Sequence, residues 1–203
     1  MPSETFFRLP EEKRNRFLNA AWEEFARVRF GDVSINQIIK KAGIPRGSFY
    51  QYFIDKEDLF LYLLDGVRAH VRELYRAALA KAEGDIFQAQ LACFDGLTSF
   101  QELEREPVLG RCVLFLRNNQ GVDIQKLVPG RPWRMLLDGL WDQLDLTAFR
   151  RRDKEYLYNV FTLLMAALGS AFMDALCHLE ERDACRAALV LRLEIIRGGC
   201  CVP

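Results

Sequence analysis

Residues 34–56, SINQIIKKAGIPRGSFYQYFIDK, leave the chain few choices of local fold. Ile35, Ile38, Ile39 and Ala42 recur at the spacing of one helix face, so that face is buried and Asn36, Gln37, Lys40 and Lys41 remain outside. Ser34 stands where an N-cap belongs, and Gln37 three residues later completes a capping box. Gly43 is suited to the left-handed residue that closes a helix, and Pro45 keeps Ile44 out of helical geometry. A second short helix follows over 45–52, with Phe49 and Phe53 four apart and facing inward. Arg46, Gly47, Ser48, Tyr50, Gln51 and Tyr52 are left on its outer side. Two short helices about a glycine turn, with basic, hydroxyl and amide groups outside, have the dimensions of a unit that enters a DNA major groove.

The stretch GIPRGSFYQYFIDKEDLF resembles the recognition segment of TetR-type transcriptional regulators, G-[IV]-x-x-[GP]-[ST]-[FL]-Y-x-[YH]-F-x-x-K-x-x-L. The preceding KRNRFLNAAWEEFARVRFGDVSINQI is similar to the first helix of that family, with Ala20, Ala21, Phe25 and Gly31 in the matching places. The likeness covers residues 10–66. It implies an all-α chain: an N-terminal three-helix helix-turn-helix head over 1–55, then a bundle of about six helices over 56–203 for dimerisation and effector binding. It also implies a homodimer on a palindromic double-stranded operator, acting as a repressor and released by a small apolar or aromatic molecule.

Each expected contact has a chemical reason. Arg46 suits a guanine edge, where a guanidinium binds O6 and N7 together. Pro45 and Gly47 bring backbone to the groove, Ser48 is short enough to donate to a base or phosphate, and Gln51 can read a base edge. Tyr50 and Tyr52 match family positions that hold phosphates through their hydroxyls. Lys56, opening the next helix, is expected to clamp a phosphate, and Ser34 to share its hydroxyl between its helix and the DNA backbone.

Charge supports a localised rather than a general affinity for nucleic acid. The formal net charge of the 203 residues is zero, whereas residues 40–56 carry Lys40, Lys41, Arg46 and Lys56 against Asp55, a net of +3. The charged N-terminus MPSETFFRLPEEKRNR is unlike a secretory signal, and six cysteines without export signals suit reduced thiols in a cytoplasm. Residues 156–173 lack any charge, which touches membrane-spanning length, yet Asn159, Thr162 and Ser170 interrupt them and no aromatic belts flank them. A helix covered on most sides, with a partner helix against Ala166, Ala167, Gly169 and Ala171, is the expectation.

The rest of the chain reads as helices over 11–29, 56–82, 84–104, 107–118, 132–144, 153–179 and 183–197, with a loop over 120–131 and a tail, GGCCVP, expected to fray. Asp55 caps the helix from 56. The helices from 153 form the expected dimer seam, with Ala184, Ala188, Leu191 and Ile195 as a stripe on the last. The middle helices carry Tyr75, Phe87, Phe94, Phe100, Phe115, Trp133, Trp141, Phe161 and Met165, most of them core. Phe94, Phe115, Trp133, Trp141, Phe161 and Met165 are the candidates for lining an effector cavity. No nucleotide loop, nucleophile elbow or metalloprotease motif occurs, so no catalytic residue, metal or cofactor is expected. An alternative sensor, of thiol oxidation or metal, would draw on Cys177, His178, Cys185, Cys200 and Cys201.

Overall fold

A computed structural model describes residues 2–99, 104, 107–119 and 132–202, with the side chains of Pro132, Trp133 and Leu179 excepted. Among the described residues regular structure is helical throughout, apart from an isolated bridge between Phe149 and Cys201. In chain order the helices are α1 (Glu4–Phe7), α2 (Glu11–Arg27), α3 (Ile35–Ala42), α4 (Arg46–Tyr52), α5 (Lys56–Lys81), α6 (Ile86–Leu97), α7 (Pro107–Asn118), α8 (Pro132–Asp138), α9 (Lys154–Cys177) and α10 (Arg182–Cys200). Short 3-10 turns lie at Phe30–Asp32, Trp141–Gln143 and Leu179–Glu181. The expected loop 120–131 and Phe100 lie outside the described residues.

Side-chain caps start the helices where the sequence puts aspartate. Asp55 Oδ1 accepts from Asp58 N at 2.7 Å while Asp58 Oδ2 accepts from Ile54 N at 3.2 Å. Asp85 Oδ1 accepts from the amides of Phe87 and Gln88, and Asp153 Oδ1 from that of Tyr156. Each cap contributes about 1 kcal/mol. The helix expected to 104 ends instead at Leu97, where Thr98 Oγ1 turns back to Phe94 O at 2.7 Å.

The chain divides into two compact units, Met1–Ala69 with Glu106–Pro129, and His70–Arg105 with Gly130–Pro203. The division falls elsewhere than at residue 55, because the first half of α5 and all of α7 pack with the N-terminal helices. The core of that first unit is aromatic. Phe17 stacks on Phe53 with ring centroids 5.8 Å apart, and Phe60 lies 5.0 Å from Phe25 and 4.6 Å from Phe115. Helix α1 was not expected. Four residues long and without a side-chain cap, it buries Phe6 against Phe17, Tyr52, Phe53 and Tyr62.

In the second unit α9 packs on α10, α6 and α8 around Phe94, Phe161, Leu164 and Leu168. Among the described residues α9 alone is long and apolar enough to cross a membrane, and half of its most apolar window is buried. The helix expected over 132–144 stops at Asp138, because the chain must pass beside Gly84. Asp145 N donates to Gly84 O at 3.0 Å, and a Cβ on Gly84 (φ +88°) would lie 2.6 Å from that nitrogen. As far as Val202 the tail is tied down, Val202 N donating to Ala148 O at 2.8 Å. Helix α10 runs on to Cys200, Cys200 and Cys201 are buried, and Arg150 holds them through its N–H to Cys200 O (3.0 Å) and its Nε to Cys201 O (2.7 Å).

Candidate nucleic-acid interface

The angle between α3 and α4 is set by one turn. Gly43 adopts φ +64°, ψ +38°, and its N–H donates to Lys40 O at 3.3 Å while Ile44 N donates to Ile39 O at 3.1 Å. This is the paired bonding of a Schellman close. Arg16 of α2 adds a third bond, Nε to Ala42 O at 2.8 Å, so the last carbonyls of α3 are satisfied from outside the helix. Any residue with a Cβ at Gly43 would cost about 1 kcal/mol for the left-handed backbone. Ile38, Ile39, Ala42 and Phe49 are buried, which pins the inner faces of both helices.

The outer faces bring together most of the expected contact residues. Pro45, Arg46, Gly47, Tyr50 and Gln51 are exposed, Ser34 and Ser48 half-buried, and Asn36, Gln37 and Lys40 lie exposed alongside on α3. A Cβ built on Gly47 meets nothing within 4 Å, so nothing inside the protein requires glycine there. The position suits an outside surface approaching the backbone. Lys41 is drawn away from this face into an ion pair with Glu23 of α2.

Three expectations need correction. The capping box is absent: Ser34 makes no side-chain cap, and its N–H donates at 3.2 Å to Oε1 of Glu24, a buried carboxylate whose Oε2 takes Arg27. The Ser34 hydroxyl is thereby left out of helix capping. Tyr52 is only 8 % exposed, its ring packed 5.9 Å from Phe6 and 6.2 Å from Phe17, so it serves the aromatic core rather than presenting an open phosphate ligand. Lys56 points inward. Its Nζ donates to Phe30 O at 3.0 Å and Gly31 O at 2.9 Å and lies 5.4 Å from the Phe30 ring centroid. An ammonium has three donors, and two of them are engaged here. Lys56→Ala is therefore expected to lower the thermal stability of the first unit by about 1–3 kcal/mol and to leave the salt dependence of DNA binding unchanged. A slope flattened by about one unit would return Lys56 to the phosphate contacts.

Other residues that hold this surface gave no local sign in the sequence. Ser3 reaches the end of α4, its N–H donating to Tyr52 O at 3.0 Å and its hydroxyl to Gln51 O. At the end of α7, Asn118 Nδ2 donates to Ala26 O at 2.6 Å, and the buried Asn119 accepts from Phe30 N at 2.7 Å through Oδ1 while donating to Phe115 O at 2.8 Å.

Comparison with known proteins agrees with this geometry. Residues 17–63 match the family of bacterial regulatory proteins of the tetR type. A Bacillus subtilis (strain 168) protein described as the uncharacterised HTH-type transcriptional regulator YdgC is 34% identical over 108 residues, spanning 52% of this chain and 54% of its own. Over these residues the chain is similar to the tetR family. The matched segment thus covers about half the length of that curated relative. Fold likeness extends further along the chain. A transcriptional regulator from Pseudomonas aeruginosa PAO1 superposes with a TM-score of 0.61 at 19% identity, covering 97% of this chain and 96% of that one. A complex of SmeT with triclosan gives 0.62 at 16% identity, covering 95% and 93%. At such identities the likeness concerns fold alone.

The expected effector-lining residues that are described fall in both units. Phe94, Phe161 and Met165 are buried together in the second unit, and Trp141 is half-buried at its edge with Lys154 Nζ 5.1 Å from its ring. Phe115 belongs to the first unit's aromatic core, and the Trp133 side chain lies outside the described ones. The crevice in the second unit, bounded by Ile86, Leu137, Leu144, Phe149 and Leu157, holds about 10 Å³, room for roughly one water. Around the turn after α9, His178, Glu180 and Glu181 bring donor atoms within 4.8 Å of one another, all three exposed.

Proposed function

We propose that this chain is a cytoplasmic DNA-binding transcriptional regulator of the tetR type, a repressor that grips a palindromic operator as a homodimer and performs no chemistry itself. The observation that carries the reading is the α3–Gly43–α4 turn, which fixes a short helix with Arg46, Gly47, Tyr50 and Gln51 exposed beyond the scaffold. Arg46 makes no hydrogen bond or ion pair with another described residue, so its guanidinium is available for a guanine edge. Ser48 and Gln51 read or support adjoining bases, Tyr50 holds phosphate, and Ser34 adds a backbone contact. Pro45 starts the helix at the groove, while Tyr52 and Lys56 support the surface from behind.

One short helix covers too few base pairs for selectivity, and two-fold symmetry doubles the site. The apolar side chains available for a seam over 153–197 are Leu163, Leu191 and Ile195, exposed by 57%, 59% and 68%. Ala166, Gly169 and Ala184 beside them are small and exposed, which permits close helix approach, whereas Ala167 and Ala171 are buried within the unit. SmeT, which shares the fold, forms a complex with triclosan, and we infer a small apolar or aromatic effector for this chain as well. The thiol-sensing alternative is less favoured. Of the cysteines on which it would draw, Cys200 and Cys201 are buried, and burial pushes the Cys200 thiol up to about 12, leaving it almost wholly protonated at neutral pH and a poor nucleophile.

The test is operator selection from random duplex DNA, followed by Arg46→Ala. The expected loss is about 1–3 kcal/mol on the selected sequence, with base preference relaxed at one position in each half-site. Equal weakening on all sequences would remove Arg46 from base contact, and failure to select any duplex would end the reading.

A further inference from the structure

Three ordinarily polar side chains are buried among the described residues: Glu24, Asn119 and Gln90. The first two engage both ends of their head groups, Glu24 with Ser34 N and Arg27, and Asn119 with Phe30 N and Phe115 O. Gln90 differs. It is 0% exposed in the apolar core of the second unit, its Nε2 donating to Tyr75 Oη at 3.1 Å and to the Met165 thioether at 3.6 Å. Its carbonyl Oε1 has no hydrogen-bond partner among the described residues. A buried carbonyl left unmet is destabilising, and a leucine or methionine there would avoid the penalty. Rotating the carboxamide by half a turn only exchanges which half is left unmet.

The surroundings are apolar and aromatic. Phe94 lies one turn further along α6, and Phe161 meets the Tyr75 ring edge-on at 5.7 Å. Thioether sulfur is a weak acceptor on an adaptable side chain, so Met165 is readily displaced from the amide. Burial raises the Tyr75 phenol well above its ordinary range, so its hydroxyl stays protonated at neutral pH.

We propose that the Gln90 carboxamide, backed by Tyr75, is the polar anchor of the effector site, and that the effector is a small aromatic or aliphatic body carrying one hydroxyl or N–H group that donates to Gln90 Oε1. The proposal rests on the effector-responsive reading above and specifies its chemistry. It also supplies a route outward. Both ends of α6 are tied to α10, through Asp85 to Arg197 and through Asp95 to Arg182 (3.0 Å) and Arg186 (2.8 Å). An occupant that wedges between Gln90 and Met165 displaces α6 from α9 and loads those ion pairs, and α10 carries the exposed Leu191 and Ile195.

The experiment titrates the full chain, free of DNA, with three matched probes by calorimetry: naphthalene, 1-methoxynaphthalene and 1-naphthol. Only the last donates a hydrogen bond. The expected result is binding of 1-naphthol about tenfold or more tighter than the other two, with the preference abolished in Gln90→Met, whose side chain has a similar length. Equal binding of the probes to the natural chain, no binding of any, or a preference that survives in Gln90→Met would each overturn the proposal. The comparison on the natural chain needs no variant to fold. Operator binding without probe is measured separately: its absence alongside an intact naphthol preference would count against the DNA-binding reading and leave the anchor standing.

Discussion

Phe115→Ala is expected to weaken the first unit by about 3–5 kcal/mol, seen as a lower midpoint in thermal unfolding and a matching loss of DNA affinity. The ring is 1% exposed and touches three others, Phe60 at 4.6 Å, Phe30 at 6.4 Å and Phe25 at 6.5 Å. Removing it empties the centre of an aromatic cluster whose members come from α2, α5, α7 and the Phe30 turn, and a cavity among rigid rings collapses poorly. Effector binding in the variant should be affected only as far as folding is. The opposite pattern, unchanged stability with altered ligand affinity, would restore Phe115 to the effector-lining set in which its sequence position places it.

The second large effect concerns assembly. Leu191 and Ile195 stand one turn apart on α10, both more than half exposed, so replacing both with glutamate leaves the interior of the unit untouched. The double variant is expected to sediment as a monomer with its helical content intact. Losing one of two linked heads should then lower operator affinity by roughly 10²–10⁴-fold, the advantage that linkage confers. A double variant that remains dimeric would place the seam on another face.

What the sequence disclosed here was local. Helical spacing marked Ile38, Ile39, Ala42, Phe49 and Phe53 as inward-facing, Gly43 announced the left-handed close, and aspartates at 55, 85 and 153 announced helix starts; all of these depend on residues within a few positions of one another. The misplacements share an opposite cause. Periodicity shows that a face is covered but not by what, so the sequence groups Phe115 with the effector-lining candidates although its partners Phe25, Phe30 and Phe60 lie far earlier in the chain. Gln37 offered a plausible capping partner for Ser34, and a carboxylate ten residues upstream took the amide instead. Lys56 opens a helix, a place that suits a phosphate clamp, and nothing near it signals the two backbone carbonyls twenty-five and twenty-six residues back. The tail GGCCVP has the composition of a fraying end, and only the guanidinium of Arg150, some fifty positions away, reverses that.

The turn at Phe30 and Gly31 has a mechanical consequence. It is the short link between α2 and the reading helices, the place where slack would ordinarily be found. Yet the amide of Phe30 is fastened by Asn119, and the carbonyls of Phe30 and Gly31 are fastened by the Lys56 ammonium. Bolted from two helices that are distant in sequence, this link acts as a rivet rather than a hinge. Torque applied to either helix would swing the recognition surface as one casting, changing where it lands on a duplex without altering its shape.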